Sequence, residues 1–217
     1  KQSAVMKNSW RLINGTQLYN VADDPGQQHD LAAKNLVLVE ELRAGYDSWW
    51  DKVSTQFDET VPFSIGVGEV CLNTHDWRNE DSSVAWHQGY IRSAKVCNGY
   101  WEVLVEDAGE YEFELRRWPR EAGHNLQAGI QGDDIEWRKD ECWKPWHVAY
   151  TGGVSMPIKS AHLKITGHKA LVAPVDAHMD KVIFNMVLEK GETRVQTWLS
   201  DLQNYITGAY YVYVKKI

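Results

Sequence analysis

The chain is short of cysteine, of basic charge and of long apolar runs, and each shortage closes off a class of protein. Its three cysteines, Cys71, Cys97 and Cys142, are widely spaced and never form a Cys-x-x-Cys pair. That pattern supports neither a zinc ribbon nor a disulfide framework, and small buried apolar side chains are the expected role. Acidic residues outnumber basic ones by 30 to 23, for a formal charge of −7. Non-specific nucleic-acid binding needs a basic field that displaces counterions, so nucleic acid is not an expected partner, and any recognition of an anion must be local. No apolar run approaches the ~20 residues of a membrane span, so no membrane partner is expected. The opening Lys1-Gln2-Ser3 has no signal-peptide core, and no targeting address is read from it. Gly-x-Ser-x-Gly elbows, P-loops and dinucleotide fingerprints are missing, and the eight histidines fall at no metal-ligand spacing.

Tryptophan, by contrast, is abundant, with 11 in 217 residues. Large aromatic side chains serve sandwich cores and sugar-stacking surfaces alike, so the excess is compatible with both.

The first fifth of the chain reads as a hairpin and one helix. Trp10 to Ile13 is a short strand, Asn14-Gly15 supplies the positive φ angles of a tight turn, residues 17–21 return, and Asp24-Pro25-Gly26 stops the strand. Leu36, Val39, Leu42, Tyr46, Trp49 and Val53 then recur at helical spacing, with Asn35 as the expected N-cap and Glu40-Glu41 in the early turns. About 55 residues of this kind bury too little apolar surface to stand alone, so their apolar groups need a neighbour or a second copy.

From about Asp58 the period changes. Val61-Pro62-Phe63 with Gly66 and Gly68 reads as a linker, and strand patterns follow. Trp101, Val103 and Val105 form one alternating set, Asp107-Ala108-Gly109 a turn, and Tyr111, Phe113 and Leu115 a second set facing away from Glu112, Glu114 and Arg116, which together predict an antiparallel hairpin with one wet face. Further strands are expected around Ala161 to Ile165, Val182 to Leu188, Val195 to Leu199 and Ala209 to Val214. The predicted fold is mainly β: an antiparallel jelly-roll-like β-sandwich over residues 58–217, preceded by a β-hairpin and helix over residues 1–57.

The run Trp10-Arg11-Leu12-Ile13-Asn14-Gly15, Leu18-Tyr19-Asn20-Val21, Asp24-Pro25-Gly26 and the Trp49-Trp50 helix end resembles the C-terminal subdomain of formylglycine-dependent sulfatases, the arylsulfatase family. Thr74-His75-Asp76-Trp77, Asn98-Gly99-Tyr100-Trp101, Leu115-Arg116-Arg117-Trp118-Pro119-Arg120-Glu121 and Gly208 to Val214 resemble the accessory domain that follows some bacterial arylsulfatases. The resemblance covers nearly the whole chain except residues 133–156. It implies the C-terminal part of a sulfate-ester hydrolase whose catalytic domain, with calcium and formylglycine, precedes Lys1, and it suggests a periplasmic or secreted setting.

The family's nucleophile arises in a Cys/Ser-x-Pro-x-Arg motif, and this chain does not contain one. Ser155-Met156-Pro157-Ile158-Lys159 carries Lys where Arg is required and leads into a strand pattern, whereas the family places a helix there; Cys142-Trp143-Lys144-Pro145 has the wrong spacing. Calcium takes about six to eight oxygen ligands, and Asp23-Asp24 or Asp133-Asp134 alone reads as a solvated turn. The chain is therefore expected to hold no catalytic residue, metal or cofactor of its own, and to be inactive alone. Two clusters could contact a sulfated glycan. Arg116, Trp118 and Arg120 combine guanidinium forks with an indole plane, Arg117 being directed to the core by strand alternation, and His75 with Trp77 could form a ligand-facing loop or a hydrogen-bonded corner. The rival reading is a carbohydrate-binding module acting by itself.

Overall fold

The computed structural model describes residues 3–79, 84–132, 152–201 and 205–217, with the side chains of 205 and 206 left aside. Contacts divide the chain into two compact units, Lys1–Thr60 and Val61–Ile217. Among the described residues, no helix is long and apolar enough to cross a membrane.

In the first unit, β1 (Ala4–Lys7), β2 (Trp10–Ile13) and β3 (Gln17–Asn20) form an antiparallel sheet in that order. Asn14 and Gly15 both have positive φ, 52° and 70°, and the resulting two-residue turn matches the twist of the strands it joins. The first strand was not foreseen, because its four residues show no apolar alternation. Helix α1 (Leu36–Val53) follows a single 3-10 turn. Its entry is fixed by Asp30, whose carboxylate accepts from the amides of Leu18 at 3.0 Å and Ala32 at 2.9 Å. These bonds, Ala32 first, hold the Asp30 carboxyl below its usual range.

Asn35 does not cap α1 with its side chain. Its amide instead donates back to Leu31 O at 3.0 Å across the 3-10 turn, and no acidic residue lies in the helix's first turn. The small core holds Leu12, Leu18, Val39 and Leu42. Past it Trp49, Trp50 and Phe57 are exposed: Trp49 and Trp50 pack on each other and on half-buried Tyr46, and the Phe57 ring lies 5.3 Å from that of Trp50.

The second unit contains β4 (Phe63–Ile65), β5 (Val70–Asn73), α2 (Gln88–Arg92), β6 (Tyr100–Val105), β7 (Gly109–Arg116), β8 (Ser160–Ile165), β9 (Leu171–Pro174), β10 (Val182–Leu188), β11 (Gly191–Ser200), β12 (Tyr205–Thr207) and β13 (Tyr211–Lys216). They form a jelly-roll-like sandwich of two sheets, ordered β10-β7-β13-β5 and β4-β6-β11-β8-β9, with β12 also on β11. All pairings are antiparallel except β4 with β6.

Two sequence expectations are corrected. The supposed linker contains β4, whose Ile65 is fully buried. The supposed hairpin is an arch, because β6 pairs with β11 and β4 while β7 pairs with β10 and β13. Alternation specifies which face of a strand is buried and leaves its neighbour open. Here Trp101, Val103 and Val105 of one sheet share a core with Tyr111, Phe113 and Leu115 of the other. Tyr111 braces the crossing by donating its hydroxyl to Asp107 O at 2.6 Å.

Candidate functional site

The arginines expected to await a ligand are occupied by carboxylates. Arg116 is buried on the outer face of the four-stranded sheet, bonded to Glu114 and, at 2.8 Å, to Asp180. Arg120 grips Glu114 at 2.9 and 3.0 Å and Glu69 at 2.5 and 3.0 Å, with its guanidinium 4.0 Å from the centre of the Tyr213 ring. Burial raises the Glu114 carboxyl, but hydrogen bonds from Arg120 and Arg116 outweigh that and hold it at about 2. Arg117 points into the core as alternation requires, donating to the carbonyls of Ala128 at 3.1 Å and Val154 at 2.6 Å. Burial without a carboxylate lowers it to about 10. Guanidinium groups already matched by carboxylates have little left to offer a sulfate.

Both expected tryptophans are core residues. Trp118 is 1% exposed and donates to Ala128 O at 3.2 Å. Trp77 packs against Trp101 and Tyr210, with ring centroids 5.6 and 6.3 Å away. Gly99 and Gly208 close on it so tightly that a Cβ added at either would lie 2.6 or 2.5 Å from Trp77 atoms. His75 is exposed on a 3-10 turn capped by Asn73, whose side chain accepts from the His75 amide at 3.0 Å. Of the two readings, the hydrogen-bonded corner describes this turn, with Asn73 as the acceptor.

His75 also borders a cleft of about 470 Å3 on the outer face of the four-stranded sheet. Register creates its floor: Tyr211 lies opposite Asn73 and Tyr213 opposite Cys71, so these four side chains share the face turned away from the core. Trp86, His87 and Gln88 line it from the segment entering α2, and Pro119 and Glu121 from the loop after β7. Thr74 Oγ1 donates to Ala85 O and ties the first of these segments to the end of β5. Gln88 Nε2 donates to the Tyr211 phenol oxygen at 2.5 Å.

Trp86 stands half exposed, its ring edge-on to His87 at 4.6 Å, while His87 stacks on Tyr90 at 4.0 Å. Burial and then the charge of Lys95 lower the His87 pKa, disfavouring the protonated ring. Burial, with a smaller contribution from Glu121 among neighbouring groups, pushes the Tyr211 phenol up to about 12. Glu121 makes no ion pair among the described residues. The neighbouring guanidinium of Arg120 is taken by Glu114 and Glu69. Of the cleft's lining, His75 was a sequence candidate, while Trp86, His87 and Glu121 reach it from segments in which no periodicity marks them.

The calcium implied by the sulfatase resemblance finds no ligand set here. Among the described residues, no three His, Cys, Asp or Glu side chains converge as a metal site. Asp23 and Asp24 are engaged locally, accepting from Asn20 Nδ2 at 2.5 Å and the His29 amide at 2.8 Å. Ser155 is exposed, but its segment buries Met156 and Ile158 and leads into β8, a strand. Asp133-Asp134 and Cys142 to Pro145 lie outside the described residues.

No family model matches the sequence, and no curated relative does. Similar solved structures include an exo-beta-1,3-galactanase from Phanerochaete chrysosporium with galactose, at 10% identity over 68% of this chain and 29% of that one, TM-score 0.34. A family 35 carbohydrate binding module from Clostridium thermocellum is similar at 9% identity over 70% of this chain and all of that one, TM-score 0.32. The CBM35 of Abf62 from Cellvibrio japonicus is similar at 8% identity over 67% of this chain and 91% of that one, TM-score 0.32. The matched part of this chain spans less than a third of the galactanase.

Proposed function

We propose that this chain is the C-terminal, non-catalytic part of an arylsulfatase-like sulfate-ester hydrolase, and that its sandwich contacts the carbohydrate that bears the ester. The observation that carries the reading is the first unit: a Trp10 to Asn20 hairpin, an Asp24-Pro25-Gly26 turn and a helix, built on a core of four buried residues, with Trp49, Trp50 and Phe57 exposed. So small a core beside so much exposed aromatic surface fits one end of a larger domain. Nucleophile and calcium would belong to the preceding catalytic domain, the partner of the first unit in this reading; association of two copies through the same aromatics is the alternative.

The test has two parts. The reading frame upstream of Lys1 is expected to encode a Cys/Ser-x-Pro-x-Arg motif, and the complete polypeptide to hydrolyse a chromogenic aryl sulfate. Residues 1–217, assayed with added calcium, are expected to give no turnover. A frame without the motif, or turnover by this chain that Ser155→Ala abolishes, would overturn the proposal.

A second reading, an independent carbohydrate-binding module, is favoured by the cleft beside Trp86, which combines an exposed indole with convergent polar groups.

A further inference from the structure

We propose that the cleft between Trp86 and Glu121 binds an uncharged sugar unit and discriminates against sulfated ones. This rests on the carbohydrate-contacting role proposed above and narrows it, because a glycan carrying sulfate esters would be held here by its unmodified hydroxyl-bearing residues.

The argument is one of charge and donor chemistry. No lysine or arginine lines the cleft among the described residues. The Arg120 guanidinium, 4.0 Å from the centre of the Tyr213 ring, is spent on Glu69 and Glu114, and the Lys95 ammonium sits 4.2 Å over the Tyr90 ring on which His87 stacks. The formal charge at the rim is that of Glu121. An incoming sulfate would lose its water against a carboxylate that no cation pairs among the described residues, with no lining cation among them in compensation.

A neutral sugar meets the opposite conditions. The Glu121 carboxylate can accept from two hydroxyls, and the carbonyl of Gln88, whose amide nitrogen is committed to Tyr211, can accept from a third. The Tyr211 phenol already accepts from Gln88 and keeps its own proton to donate. Trp86, 51% exposed and steadied by His87, offers an indole surface to the C–H groups of a ring. The volume lies inside the ~300–1,000 Å3 range of small-molecule sites.

The test is calorimetry and tryptophan fluorescence on the full chain with cello-, manno-, galacto- and xylo-hexaose, each beside a chemically sulfated counterpart. At least one neutral oligosaccharide is expected to bind, with little change in affinity between about 0.05 and 0.5 M salt, and its sulfated counterpart at least about tenfold more weakly. Trp86→Ala should weaken binding by about tenfold or more and Glu121→Gln by about threefold or more, both with unchanged far-ultraviolet circular dichroism and melting temperature. Tighter, salt-sensitive binding of the sulfated series would overturn this inference and leave the carbohydrate-contacting role standing. Neutral binding indifferent to both substitutions would remove this cleft as its location, and binding to neither series would remove the inference and the role together.

Discussion

Gln88 and Tyr211 lie 123 positions apart, yet the amide of one donates to the phenol of the other at 2.5 Å, so the first helix of the sandwich is fastened to its last strand. Gln88→Ala removes that donor and leaves a half-buried phenol oxygen without it. A loss of about 1 kcal/mol in the unfolding free energy of the second unit is expected, read by urea denaturation. Tyr211→Phe should cost a similar amount, and the double variant less than the sum of the two, because both changes break one bond.

Glu114 joins Arg116 and Arg120 on the sheet face beside the cleft, and its folded pKa is depressed from 4.5 to about 2. A depressed carboxyl contributes stability above its unfolded pKa and loses it as pH falls through the folded one. Glu114→Gln should therefore destabilise the protein by about 2–4 kcal/mol at neutral pH, since it leaves buried guanidinium charge less compensated. The difference from the parent should shrink between pH 4.5 and about 2, as followed by thermal melting across that range.

Gly208 has no room for a side chain, because a Cβ there would lie 2.5 Å from Trp77 and 2.7 Å from Asn98 Oδ1. Gly208→Ala is expected to cost about 1–3 kcal/mol by overpacking. Combining it with Trp77→Leu should cost less than the sum of the separate changes, since the smaller side chain vacates the clash. Additive losses in chemical denaturation would show that Trp77 is not the obstacle.

The second unit has its own extensive core, from Ile65 to Val214. A protein of residues 61–217 is therefore expected to keep a single cooperative thermal transition and its near-ultraviolet aromatic signal, measured by calorimetry and circular dichroism. Loss of cooperativity would show that residues 1–60 complete that core.

What could be read along the chain is local. Asn14-Gly15 specified a turn because both residues tolerate positive φ, and the alternation of Trp101 to Val105, Tyr111 to Leu115 and Val195 to Leu199 specified which side chains are buried. It also placed Arg117 in the core. Which strands are neighbours was settled by the folded chain, since an arch and a hairpin demand the same alternation, and the Asp107-Ala108-Gly109 turn serves either. The folded chain alone decided that Glu69, 51 positions from Arg120, and Asp180, 64 from Arg116, would satisfy the arginines a linear reading left open. The cleft is likewise a product of register: Tyr211 faces Asn73 across β13 and β5, and Trp86 and Glu121 reach the same space from segments that no periodicity connects. Local pattern follows from backbone sterics and burial, which act over a few residues, whereas a site assembled from four segments exists only once long-range pairing has closed the sandwich.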